Sequence, residues 1–287
     1  MNDSETGDWD IEINANKNIL TLGLKDVWHY RDLLLLLVRR DFVSFYKQTI
    51  LGPIWFFVQP VITILIYTLV FGTLAGISVD GMPKPLFYLA GTIIWNYFAD
   101  CITKTSTVFK DNAGMMGKVY FPRLIMPLSI VASNLIRFGI QFLLFIILLI
   151  FYAVTGTGFA PNMYILLLPV LVLLVAALGL GLGMLISAVT TKYRDLAFVV
   201  QFGVPLLMYT TTVIYPLSTA VSKYPAYSWL IKFNPITAII ETFRYSFFGK
   251  GTFSWELLGY SVFVTLVLLI SGMVVFNKVE KTFVDTV

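Results

Sequence analysis

Few side chains in this sequence are of a type and spacing that could break or form bonds. The one histidine, His29, stands in a basic amphipathic segment, where a surface or interface histidine is expected in preference to a ligand. The one cysteine, Cys101, permits neither an internal disulfide nor a thiolate metal site. A phosphate loop needs an upstream glycine, so that backbone N–H groups can cradle phosphate, and a Ser or Thr after its lysine to hold magnesium. Gly117-Lys118 and Gly249-Lys250 lack both, so no ATPase of that kind is expected within this chain. Neither an HExxH nor a GxSxG pattern occurs. Inside the apolar stretches charge is scarce: Arg137, and Asp100 near the inner end of the second, with Lys104 at its very edge. Ion-coupled carriers place such groups near the bilayer midplane, and their scarcity disfavours that class. Arg137 falls about one turn inside the expected inner boundary, where its long side chain can snorkel to headgroups.

The elements that would position these groups are membrane helices. Of 287 residues, 58% are hydrophobic and only 13% charged, with mean hydropathy +0.83. A soluble domain of this size does not need so much apolar surface. Six stretches approach the ~20 apolar residues that cross ~30 Å of hydrocarbon: roughly 53–76, 85–104, 126–154, 164–190, 196–216 and 257–276. Unpaired backbone is costly in lipid, so such runs predict helices. Pro60 predicts a kink in the first. Gly72 and Gly76, and Gly179 and Gly183, form small-xxx-small patterns suited to close helix packing.

Three stretches outside the spans are informative. Within 21–52, Val27, Tyr30, Leu34, Leu37, Val38, Phe42 and Phe45 recur at helical spacing among Arg31, Arg39, Arg40 and Lys47. This predicts a basic amphipathic helix lying in the membrane interface, the alternative being an ordinary surface helix before a span. Within 217–250, Asn234-Pro235 reads as an N-cap followed by proline at the first helical position. Ile236, Ile239, Ile240, Phe243 and Phe247 then follow at helical spacing. A helix over 235–247, with another over 220–232, is expected either to re-enter the membrane from the outer face or to lie on the outer leaflet. The loop 105–125 could form a short helix that projects into the cytoplasm, or simply connect spans. Lys17, Lys25, Arg31, Arg39, Arg40, Lys47, Lys104, Lys110, Lys118, Arg123, Lys192, Arg194, Lys278 and Lys281 fall on one side, which places both termini in the cytoplasm. Lys84, Lys223, Lys232, Arg244 and Lys250 fall on the other. Residues 1–12 are acidic, the reverse of a signal-peptide n-region, and 1–20 are expected to form a mobile tail.

Four segments in order carry a family resemblance: RRDFVSFYKQTILGPIWFFVQP (39–60), KVYFPRLIMPLS (118–129), TKYRDLAFVVQFGVPLLMYTTTVIYP (191–216) and FNPITAIIETFR (233–244). They resemble the polysaccharide branch of the ABC-2 export permeases, which moves O-antigen, capsule or teichoic acid. The first looks like that family's Arg-Asp, Leu-Gly-Pro-x-Trp, Gln-Pro pattern through Arg40, Asp41, Leu51, Gly52, Pro53, Trp55, Gln59 and Pro60. The resemblance covers nearly all of residues 25–278.

It implies an all-α polytopic fold: an amphipathic interface helix over 21–52, then over 53–287 six transmembrane helices, with outer re-entrant helices between helices five and six, marked by Asn234, Pro235 and Arg244. It further implies a homodimer in the bacterial inner membrane with two copies of a cytoplasmic ATPase subunit, which would carry the ATP and magnesium. No cofactor in this chain, no catalytic or metal site and no nucleic-acid partner is expected. The 105–125 loop, through Asn112, Met115, Met116, Lys118, Tyr120 and Arg123, would couple to the ATPase. Spans one and five would line the channel, with Tyr67, Phe71, Phe202, Tyr209, Thr211 and Tyr215. Sugar CH faces stack on aromatic rings and Thr210, Thr211 and Thr212 supply hydroxyls, while the alternative is an ordinary outer aromatic belt. Arg39, Arg40 and Lys47 would attract the pyrophosphate of a lipid-linked glycan or merely anchor the helix to anionic lipid. The expected function is ATP-driven export of a lipid-linked polysaccharide, O-antigen before capsule or teichoic acid. An ion-coupled carrier and a membrane enzyme on lipid-linked sugars are the alternatives.

Overall fold

The computed structural model describes residues 24–47, 49–116, 118–119, 121–156 and 161–283. The acidic tail over 1–20 and Tyr120 lie outside them. Among the described residues the regular structure is entirely helical.

The chain starts with α1 (Leu24–His29) and α2 (Arg31–Tyr46). From Val27 to Phe42 the expected stripe is the inward face, and the Phe45 side chain lies outside what the structure describes. Leu37 is buried, and Val27, Tyr30 and Leu34 pack with it on a cluster at one end of the bundle. Leu35 and Leu36, on the other face, are exposed. The stripe therefore rests on protein, chiefly along α7, and the opposite leucines are left uncovered. Gly52, with φ +53, turns the chain into a 3-10 turn over Gly52–Ile54. Then come α3 (Trp55–Tyr67) and a π-helical turn over Thr68–Leu74.

At the centre is α4 (Lys84–Ser106), buried along most of its length. It packs against α7 (Ile125–Val154), α8 (Leu168–Lys192), α3 and α9 (Leu196–Leu207). A helix surrounded by protein needs no apolar coat, which is why α4 tolerates Lys84, Asp100 and Lys104. Between α4 and α7, α5 (Val108–Asp111) and α6 (Ala113–Met116) are single turns. The last described helix is α13 (Trp255–Phe283).

Among the described residues four helical segments are long and apolar enough to cross a membrane: Gly52–Leu74, Ile125–Val154, Met163–Lys192 and Trp255–Val279. This is a multi-pass membrane architecture. All six expected spans are helical, but the fifth corrects the expectation. It ends with a 3-10 turn at Met208–Thr210, and 211–216 is non-helical. At 1.5 Å per residue, Leu196–Thr210 reaches only ~22 Å.

Three short helices follow it, α10 (Leu217–Lys223), α11 (Ser228–Lys232) and α12 (Pro235–Phe248). The α12 helix is built as its sequence indicated. The Asn234 side chain accepts the Ile236 N–H, Pro235 occupies the first turn, and Gly249 closes the helix in the left-handed region at φ +63. Almost all of α12 is buried against α4, α8 and α13. Phe145 of α7 meets Phe243 and Phe247 with ring centroids 5.4 and 5.1 Å apart. Such pairs add about 0.5–1.5 kcal/mol each beyond area burial.

The glycine patterns divide. A Cβ on Gly179 would stand 2.7 Å from Cys101 Cβ, and one on Gly183 2.6 Å from Thr105 Cβ, so this pair does set the α8–α4 approach. Gly76 has open space around it and φ +61, so it is a turn residue and not part of a packing motif. The tightest backbone approach is between α8 and α13, at Gly181 and Gly272.

Candidate functional site

The expected channel residues sit at the ends of α3 and α9 farthest from α2. Tyr67 is the last residue of α3, where the helix widens into its π turn. Such widenings recur at functional sites. The turn is held from α4: Lys84 Nζ donates to the Gly72 carbonyl, and only a glycine leaves room for the lysine stem. Tyr67 packs edge-on to Phe71 (5.4 Å) and Tyr88 (6.1 Å), and its hydroxyl donates to Met208 Sδ at 3.7 Å. Tyr215 donates to the Tyr209 carbonyl at 2.6 Å, closing the turn after α9. The structure thus brings Tyr67, Phe71, Met208, Tyr209 and Tyr215 into one neighbourhood. Tyr209 keeps 53% of its surface free. Phe202 is 72% exposed but lies two turns back along α9, about 10 Å away by helical rise.

The threonines correct the expectation. Thr211 has no exposed surface, and its hydroxyl donates to the Met208 carbonyl. Thr212 is also fully buried, and Thr210 donates to Leu207. Thr211 therefore does not line a passage. Its polar capacity serves the helix end, where carbonyls would otherwise lack donors.

The residue that organises this end is Arg244, which is fully buried. Its Nη1 donates to the Thr212 carbonyl, and its Nη2 to the carbonyls of Phe87 (3.1 Å) and Val213 (2.9 Å). The guanidinium carbon lies 3.6 Å from the Phe87 ring centroid. Glu241, one turn earlier, stands 3.4 Å away and also accepts from the Thr252 hydroxyl at 3.2 Å. Gly91 makes room for Arg244, since a Cβ there would stand 2.6 Å from Nη2. Arg244 hence fastens α12 to α4 and to the chain leaving α9. Sequence reasoning marked Arg244 only as the end of the re-entrant helix. Nearby, the Ser218 hydroxyl donates to both Asp80 carboxylate oxygens (3.0 and 2.9 Å), and Lys250 donates to the Gly81 carbonyl at 2.8 Å.

At the opposite end, Arg39, Arg40 and Lys47 are exposed. Arg40 pairs with Asp41 at 2.7 Å. The 105–125 loop does not project. Val108, Phe109 and Met116 are buried with Leu37 and Phe276, and Phe109 stacks on Phe276 at 4.6 Å. Met115 and Arg123 are half-buried, Asn112 donates to the Val108 carbonyl at 3.0 Å, and Lys118 is exposed. Four-residue helices are too short to stand alone, so they fold back on the bundle. Arg137 does not snorkel: it pairs with Asp100 at 2.7 Å and lies 5.6 Å from the Phe56 ring centroid. Among the described residues no group of His, Cys, Asp and Glu could hold a metal ion.

This architecture has known relatives. A protein named O-antigen export system permease protein RfbA, from Myxococcus xanthus, is 27% identical over 264 residues, covering 92% of this chain and 98% of that protein. A protein of the same name from Klebsiella pneumoniae is 27% identical, covering 88% and 94%. Polysialic acid transport protein KpsM of Escherichia coli is 22% identical, covering 80% and 87%. The sequence model of the ABC-2 type transporter matches residues 32–248, most of the chain including α2, the central bundle and α12, and on that ground the chain belongs to the ABC-2 type transporter family.

Proposed function

We propose that this chain is the membrane-spanning permease subunit of an ATP-driven exporter that moves a lipid-linked polysaccharide, an O-antigen, outward across the bacterial inner membrane. The observation that carries this reading is the end-to-end match with relatives named O-antigen export permeases. Two copies of the chain would pair with two copies of a separate ATPase subunit, and both termini would face the cytoplasm. ATP and magnesium would be bound by that partner.

The geometry supports such a passage. Along α3 and the π turn after it, Val61, Ile62, Leu65, Ile66 and Leu69 are exposed, and along α9, Phe198, Val199, Phe202 and Leu206. Both helices thus present apolar faces that the single protomer leaves uncovered. A second copy and lipid would share them. Tyr67, Phe71 and Tyr209 lie where these two helices end together. Aromatic faces there would let sugar rings slide while making few polar contacts that trap them. The alternative cargo, a capsular polymer, is supported by the more distant similarity to the polysialic acid transport protein. The exposed basic residues Arg39, Arg40, Lys47 and Lys118 suit contact with anionic headgroups and with a cytoplasmic subunit.

The test is purification of the tagged chain from its native membrane in mild detergent, with co-purified proteins and lipids identified by mass spectrometry. An ATPase bearing a phosphate loop, near one per permease, and a polyprenyl-pyrophosphate glycan are expected. Recovery of the chain alone, even after gentle crosslinking, would overturn the reading.

A further inference from the structure

Apart from the aromatic end, the structure has a recess of about 250 Å³ among α2, the start of α3, α4 and α7. Its apolar wall is Phe42 and Phe56, stacked with ring centroids 5.6 Å apart. Its polar lining is Asp41, Ser44, Lys104, Ser133, Asn134 and Arg137. Six polar residues around a recess at the interface end of apolar helices need an explanation, because polar groups at this depth are costly unless they meet a partner.

Charge accounting narrows that partner. Arg40 neutralises Asp41 at 2.7 Å, and Arg137 neutralises Asp100 at 2.7 Å. Lys104 Nζ donates to Asn134 Oδ1 at 2.8 Å, a neutral amide. The local sum is three cations against two carboxylates, which leaves one positive charge on Lys104. That residue keeps exposed surface within the recess lining. The hydroxyls turn away from the space, Ser44 to the Asp41 carbonyl and Ser133 to the Ile130 carbonyl. Beside the recess, Ile54 and Trp55 are exposed apolar residues at the start of α3, suited to acyl or prenyl tails.

We infer that this recess binds the phosphate of a lipid, with Lys104 as its principal charge partner and Arg137 as the second. Basic pockets between transmembrane helices at this level hold anionic headgroups in this way, and lysine serves phosphate as a point charge. The phosphate can belong to a membrane phospholipid or to a polyprenyl phosphate carrier. The inference rests only on the membrane placement of α3 and α7, so it stands or falls separately from glycan export.

Native mass spectrometry of the purified full chain tests it. Three lipids are titrated: phosphatidylglycerol, polyprenyl monophosphate, and phosphate-free diacylglycerol. The wild type is expected to retain one of the phosphate lipids in preference to diacylglycerol, and which one names the source. Lys104→Met should weaken that retention about tenfold, the usual size for losing a charged hydrogen bond. Lys104→Arg should restore it, and Lys223→Met, which removes an exposed cation of α10 outside the recess, should leave it unchanged. Ser133→Leu fills the recess without altering charge and should also abolish retention, so misfolding of one variant does not leave the question open. Equal retention by the wild type, Lys104→Met and Ser133→Leu would overturn the inference. So would an equal loss in Lys223→Met.

Discussion

Replacing Arg244 by Met should be the most damaging single change at the aromatic end, and its cost can be worked from the contacts. The guanidinium has no exposed surface and Glu241 only 4% of its side chain. Removing one partner of a buried ion pair costs about 3–5 kcal/mol, because the other charge is left without compensation. The carbonyls of Phe87, Thr212 and Val213 also lose their donor, at about 1–3 kcal/mol for each that water does not reach. Glu241→Gln is a different perturbation. The amide oxygen still accepts from Thr252, and Arg244 keeps its three carbonyls and the Phe87 ring, so about 1–2 kcal/mol is expected. The double variant should cost less than the sum, since the amide introduced by Glu241→Gln carries no charge to be stranded when Arg244 is removed. Unfolding by SDS titration in mixed micelles, followed by circular dichroism, measures all three. Equal losses for the two single variants, or additivity within about 0.5 kcal/mol, would refute the claim that Arg244 is the hub and Glu241 its auxiliary.

The other expectations are more local. Gly181→Ala and Gly272→Ala should each destabilise the protein by about 1–3 kcal/mol, because the new Cβ meets backbone of the facing helix at 2.8 and 2.5 Å. Gly139→Ala in α7, with open space around it, should be neutral or slightly stabilising in the same SDS titration. Asn234→Ala removes the cap of α12 and should cost about 1 kcal/mol, read by that titration; no loss would mean that Pro235 and packing alone hold the helix start. Tyr67→Ala combined with Tyr209→Ala should cut glycan delivery to the outer face, measured by pulse-labelled surface polysaccharide, while the amount of protein in the membrane stays unchanged. Wild-type export by the double variant would remove these rings from the proposed path.

What was legible in the sequence is what a short stretch decides by itself. Asn234-Pro235 and the spacing of Ile236, Ile239, Ile240, Phe243 and Phe247 specify α12, because a cap and an apolar stripe are properties of one helix. The stripe of α2 from Val27 to Phe42 was legible for the same reason, although not that protein would cover it. The end of α9 was not, because Val213 and Ile214 continue the apolar run and hydropathy does not separate a lipid-facing helix from a buried turn. Nor were the partnerships that cross between elements. Arg137 and Asp100 are 37 positions apart, and Arg244 and Phe87 are 157 apart. Depth within a span suggested snorkelling for Arg137 only because its partner on α4 was not visible from α7 alone. These misses share a cause. Backbone that stops being helical at membrane depth must find donors from elsewhere in the protein. Beyond α9 the 211–216 segment finds them on Arg244 of α12, and the π turn after α3 finds one on Lys84 of α4. Both aromatic helix ends are therefore set by cations on other helices. A change at Arg244 or Lys84 should move Tyr67 and Tyr209 without touching either ring.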